Sequence, residues 1–168
     1  DVGLFRKLLY GLACRRYETC AEAVPEAFGL SPSTVSRRFI RSSAKQLQAL
    51  CERRLDSYEM VALLLDGKTF AEDEIVIALG ITAEGQKVVL GFVQTATENG
   101  PVCAAFLREL IDRGLQIEQG LLCVIDGAKG LRKAIQTVFG PQAMVQRCQW
   151  HKRDNIVRYL PKGQQALW

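Results

Sequence analysis

The sequence predicts an α/β protein, a mixed sheet built in the order βββαβαβα behind an all-helical N-terminal module. Three observations carry this expectation. From residue 61 onward, apolar stretches of strand length recur, two of them ending in Asp-Gly. Between the later stretches lie segments whose apolar residues repeat at helical spacing. Residues 1–60 show only the helical period, broken by a turn signal at Gly29. The expected organisation is a helical domain over 1–60 and an α/β domain over 61–168.

The helical part centres on "ETCAEAVPEAFGLSPSTVSRRFIRSSAKQLQAL", which has a helix-turn-helix pattern. Ser31 or Ser33 can cap the second helix, and Pro32 suits its first turn. Val35 and Phe39 repeat at i, i+4 as an inward face. Thr34, Ser36, Arg37, Arg38 and Arg41 remain for exposed faces, where they could meet bases or phosphates in a major groove. Pro25 departs from the pattern, because it removes a backbone donor from the first helix. A helical hairpin with a solvated arginine face fits the same residues. Residues 43–59 are expected to continue as an amphipathic helix through Leu47, Leu50, Cys51 and Leu55.

The α/β part reads in order. "VALLLDG" is a strand ending at Asp66, and "EIVIALGI" and "KVVLGFV" are two more, separated by "TAEGQ". After "NGP", "VCAAFLRELIDRG" is a helix. "LLCVIDG" is the fourth strand, and "AKGLRKAIQTVFG" a helix with Leu131, Ile135 and Val138 inward. "AMVQRC" is a short fifth strand, and "WHKRDNIVRYL" opens a helix that "PKG" stops. Three clustered strands pair antiparallel, whereas a strand entered after a crossover helix pairs parallel. If the fourth strand lies beside the first, Asp66 and Asp126 meet at one end of the sheet.

Adjacent carboxylates repel, and magnesium or manganese relieves that repulsion because hard cations take oxygen ligands. Asp-Gly after an apolar strand is also ordinary turn chemistry, so both readings stand at this point. Lys129, Arg132 and Lys133 could meet phosphates or simply cover a helix surface. Lys68 and the acidic run at 72–74 are expected to be solvated rather than ligands. No phosphate-binding GxxxxGK[ST] loop is present.

Charge is unevenly spread. Residues 1–60 carry 10 Lys/Arg against 7 acids, residues 61–143 carry 7 against 10, and residues 144–168 carry 5 against 1. Basic ends around an acidic middle suit a protein that touches polyanions at its edges. Six cysteines with no CxxC favour free thiols in a reducing compartment. The apolar runs are strand-sized, so no membrane span is expected.

"QRCQWHKRDNI" (146–156) holds His151, the single histidine, three residues after Cys148. Two ligand-type residues do not complete a zinc site, and no substrate pocket supports a Cys/His nucleophile. If the helix starts before Cys148, both side chains share one side. The expected role is packing and orientation near the aspartates, with Lys152 and Arg153 contacting a DNA backbone.

"LLLDGKTF", "ALGITAEGQKVVLGF", "TENGPVCAAFLRELIDRGL", "VIDGAKGLRKAI" and "FGPQAMVQRCQWHKRDNIVRYLPK" together resemble bacterial insertion-sequence transposases of the Mutator type over residues 61–162. That resemblance implies an RNase H-like catalytic domain with an Asp-Asp-Glu triad. It also implies double-stranded DNA at transposon ends as substrate, Mg2+ or Mn2+ as cofactor, and cleavage followed by joining of 3′ ends. The first aspartate falls on Asp66, the second on Asp126, and the family's Cys-x-x-His signature on Cys148 and His151. The family's glutamate is expected beyond Trp168, since no glutamate follows Glu118. The resemblance therefore implies a fragment impaired in strand transfer alone. Such a fragment could still bind DNA and assemble with itself or with a full-length transposase, in the cytoplasm and at the nucleoid. Two other accounts are a non-catalytic helix-turn-helix regulator, and a nuclease completed by Glu98 or Glu118.

Overall fold

A computed structural model of the chain describes residues 31–70, 73–95 and 99–165. The chain divides into two compact units, 1–52 and 53–168. In the first unit, the expected first helix of the helix-turn-helix lies outside the described residues. The second is present as α1 (Pro32–Glu52). Ser31 caps it, its Oγ accepting from the Thr34 backbone N–H at 3.3 Å, and Pro32 sits where no donor is needed.

Helix α1 stops at Glu52 rather than continuing to residue 59. The physical reason lies in the second unit. There the Leu55 N–H donates to the Arg113 carbonyl at 2.7 Å, instead of to a helical carbonyl, and its side chain is fully buried. Arg54 donates to the Asp112 carbonyl at 3.0 Å, and Arg113 Nε donates to the Arg53 carbonyl at 3.0 Å. Tertiary anchoring thus overrides the helical period that Leu55 seemed to extend.

The second unit begins with β1 (Met60–Phe70), β2 (Asp73–Thr82) and β3 (Lys87–Thr95), followed by α2 (Gly100–Asp112). Next come β4 (Leu121–Ile125), α3 (Lys129–Phe139), a 3₁₀ turn at Gly140–Gln142 and β5 (Ala143–Arg147). Helices α4 (Gln149–Val157) and α5 (Lys162–Gln165) close the order. The strands form one mixed sheet, β3-β2-β1-β4-β5, antiparallel across β1, β2 and β3 and parallel across β1, β4 and β5. The α/β class and the order βββαβαβα are as expected.

Side chains alternate across the sheet, and the two faces differ. Leu63, Leu65, Val76, Ala78, Cys123 and Ile125 are buried in one core with Phe106, Leu107 and Leu110 of α2 and Leu131, Ile135 and Phe139 of α3. On the other face Leu64, Ile77 and Leu79 are half-buried, and Leu122 and Met144 are exposed. Apolar residues on both faces explain why "LLL" reads as a continuous run rather than an alternation. Buried Arg113 ties α2 to the sheet by donating to the Leu90 carbonyl at 2.8 Å. Among the described residues, no helix is long and apolar enough to cross a membrane.

Candidate active site

The register of β1 and β4 builds the site. Leu65 is paired with Ile125 across the parallel ladder, so Asp66 and Asp126, one residue further along, lie side by side at the same end of the sheet. Both are partly exposed. The two Asp-Gly pairs nevertheless have different backbone fates. Strand β1 does not end at Asp66, as the sequence suggested, but runs on to Phe70, because β2 pairs with it down to Phe70 opposite Asp73. Asp66 is therefore a strand residue, opposite Ile77. β4 ends at Ile125, and Asp126 opens a turn in which its Oδ1 accepts from the Ala128 N–H at 2.9 Å. Gly127 supplies the positive φ of 112° that this turn requires. Turn chemistry accounts for the second Asp-Gly and not for the first.

The chain then returns to the same end of the sheet. β5 finishes with Arg147 opposite Ile125, and the Cys148 N–H donates to the Ile125 carbonyl at 2.6 Å. Cys148 is the N-cap residue of α4, with no side-chain capping bond, so the helix begins at Gln149 and not before Cys148. Cys148 therefore sits at the helix entrance, and His151 in its first turn. His151 Nε2 lies 3.5 Å from Asp66 Oδ1, within ion-pairing distance. Its Nδ1 is buried and has no hydrogen-bond partner among the described residues. Arg147 Nε donates to the Asp126 carbonyl at 3.3 Å, its side chain lying over Gly127. One aspartate is thus touched by His151 and the other by Arg147, both from the β5–α4 segment.

Glu74 opens the expected strand "EIVIALGI" and lies in β2 opposite Thr69, half-buried rather than fully solvated. Its carboxylate lies over Gly67, where an added Cβ would come within 2.7 Å of Oε1. Glu74, Gly67 and Asp126 line one small cavity together with Cys103 and Leu131. Glu118 is remote from this end of the sheet, since it precedes β4 whereas Asp126 follows it. Glu98 lies outside the described residues. Among the described residues, no three His, Cys, Asp or Glu side chains are grouped to hold a metal ion. Two aspartates suffice for a cation such as Mg2+, which takes one or two carboxylates and fills its shell with water and substrate phosphate.

Other expected contact residues lie on α1, α4 and α3. On α1, Thr34, Arg37, Arg38, Arg41 and Lys45 recur at spacings of three and four, a basic stripe along one side. Arg37, Arg41 and Lys45 are exposed, whereas Ser36 falls on the opposite side of the helix from this stripe. On α4, Lys152 and Arg153 are exposed, and the Arg153 guanidinium stacks 5.2 Å from the centre of the Trp150 ring. Lys129, Arg132 and Lys133 are exposed on α3, beyond the Asp126 turn. Cys51, Cys123 and Cys148 are free thiols.

The sequence pattern described as "Transposase, Mutator family" matches residues 4–167. The chain belongs to the Mutator family of transposases. It is similar to the transposase for insertion sequence element IS905 of Lactococcus lactis, with 35% identity over 144 residues, 82% of this chain and 36% of that protein. The transposase for IST2 of Acidithiobacillus ferrooxidans shares 34% identity over 150 residues, 84% of this chain and 49% of that protein. The transposase for IS6120 of Mycolicibacterium smegmatis shares 30% identity over 162 residues, 92% of this chain and 49% of that protein. The chain therefore spans half or less of the length of these Mutator relatives.

Proposed function

We propose that the chain carries the DNA-contacting helix and the first two catalytic aspartates of a DNA transposase, within an RNase H-like fold. The observation that carries this reading is the Leu65–Ile125 register, which brings Asp66 and Asp126 together. Their oxygens would hold Mg2+ or Mn2+. When bound, such an ion activates an attacking oxygen and stabilises the leaving oxygen in phosphoryl transfer. The protein's own contributions are positional. His151 orients the Asp66 carboxylate from the first turn of α4. The Asp126 turn fixes the second carboxylate through the Ala128 N–H, and Arg147 holds the turn's carbonyl.

On this reading the α1 stripe of Arg37, Arg38 and Arg41 grips duplex DNA at transposon ends. Lys152 and Arg153 hold the backbone nearer the aspartates. The chain binds transposon ends. It can assemble with a second copy or with a full-length transposase.

Band-shift and nicking assays on duplexes bearing the inverted repeats that flank the gene test this reading. The expected result is binding that weakens when Arg37 and Arg41 are replaced by Ala. Mn2+ should tighten that binding in the parent chain but not in the Asp66→Asn, Asp126→Asn variant. Binding that ignores both the metal and the aspartates would instead favour a non-catalytic DNA-binding regulator.

A further inference from the structure

Helix α4 buries none of its residues, and its outer side forms a trough. One section, of about 520 Å³, is lined by Arg147, Lys152, Asn155, Ile156, Arg158 and Tyr159. An adjoining section of about 460 Å³ shares Arg147, Lys152 and Ile156 and extends to Arg153. Each section falls within the roughly 300–1,000 Å³ of small-ligand sites, large enough for a nucleotide. The charge is one-sided. Arg147, Lys152, Arg153 and Arg158 line these sections with no carboxylate among the lining residues, and Asp154 on the same helix is engaged by Arg158 at 2.7 Å. Two apolar groups stand among these cations in open solvent, Ile156 and a Tyr159 ring that is 91% exposed.

We propose that this trough binds an unpaired stretch of a DNA strand, with a base on Tyr159 and the phosphates on Lys152 and Arg147. The inference rests on the transposase reading for its choice of DNA and goes beyond it in assigning strandedness. Duplex DNA offers phosphates to cations but keeps its base faces stacked inside. An exposed ring among cations matches a strand whose base faces are free. The trough also has a fixed relation to the aspartates, because Arg147 reaches both: its side chain lines the trough, and its Nε donates to the Asp126 carbonyl. A strand seated there runs towards the Asp126 end of the sheet.

Fluorescence anisotropy with a labelled thymidine dodecamer, and with a duplex of the same length, tests the assignment on the full chain without metal. Tyr159→Ala should weaken the single strand by roughly tenfold or more, as loss of one stacked base does. The same variant should change duplex affinity less than twofold, and Tyr159→Phe should restore the parent value. Lys152→Ala should weaken both ligands and flatten the salt dependence of each. Unchanged dodecamer affinity in Tyr159→Ala overturns the proposal. So does failure of the parent chain to bind the dodecamer at low salt, which would leave a protein surface as the occupant. Repeating the titration in the Asp66→Asn, Asp126→Asn background separates the two ideas. Retained, Tyr159-dependent binding there supports the trough, whatever becomes of the metal site.

Discussion

Helices α3 and α4 enter the fold in the same way and are used differently. Each follows a five-residue parallel strand, β4 or β5, and each begins within a few residues of the sheet end that carries the aspartates. Helix α3 buries Leu131, Ala134, Ile135 and Phe139 in the core, with its cations facing out. Helix α4 buries nothing and is held at its entrance by the Cys148–Ile125 backbone bond and the His151–Asp66 contact. One helix is built into the core, and the other leaves its side chains at the surface. The contrast teaches that a chain can place chemistry beside a rigid sheet without spending core volume on it.

The largest expected break in this comparison is Ile135→Ala. It opens a cavity at a fully buried position of α3 and should lower unfolding free energy by about 2–5 kcal/mol in urea titrations. Lys152→Ala on α4 should stay within about 0.5 kcal/mol of the parent in the same assay, as exposed substitutions do. A comparable loss at both helices would erase the distinction.

A smaller effect separates the two aspartates. Asp126→Ala removes the acceptor for the Ala128 N–H and should cost about 0.5–1.5 kcal/mol. Asp66 accepts no such backbone bond among those described, so Asp66→Ala should cost less. Chemical denaturation of the two variants side by side decides this, and equal losses would contradict the different backbone fates of the two Asp-Gly pairs.

An effect confined to alkaline pH arises in the core beneath α3. Burial pushes the Cys123 thiol up to about 12 from 9.0. The folded state keeps its proton where the unfolded chain loses it, so this contribution is whole below about pH 9 and declines as pH rises towards 12. Stability should therefore fall less steeply over that window in Cys123→Ala than in the parent, when each is compared with its own value at pH 8.

Much of this was legible in the sequence, for physical reasons that particular residues show. Periodic apolar runs exposed the order of elements, and crossover logic brought Asp66 and Asp126 together before any coordinates. Ser31-Pro32 marked the start of α1. Its end was not legible, because Leu55 continues the helical period while its burial and its bond to Arg113 depend on the distant end of α2. "LLLDG" and "CVIDG" look alike locally, and only pairing with β2 carries β1 past Asp66. Glu74 falls in the legible strand "EIVIALGI", but nothing nearby in sequence reveals that Gly67 leaves room for its carboxylate. Arg147 and Tyr159 carried no spacing signal, and their positions follow from where β5 and α4 fall in space.

The most direct test of the central claim, that Asp66 and Asp126 form one metal site, is iron-directed cleavage of the polypeptide. Fe2+ replaces Mg2+ at oxygen-rich sites and, with ascorbate and peroxide, cuts the nearby backbone. The account predicts paired cuts near residues 66 and 126, suppressed by excess Mg2+ and lost from both places in Asp66→Asn alone. Cuts at only one of the two positions, or a pattern unchanged by Asp66→Asn, would contradict it.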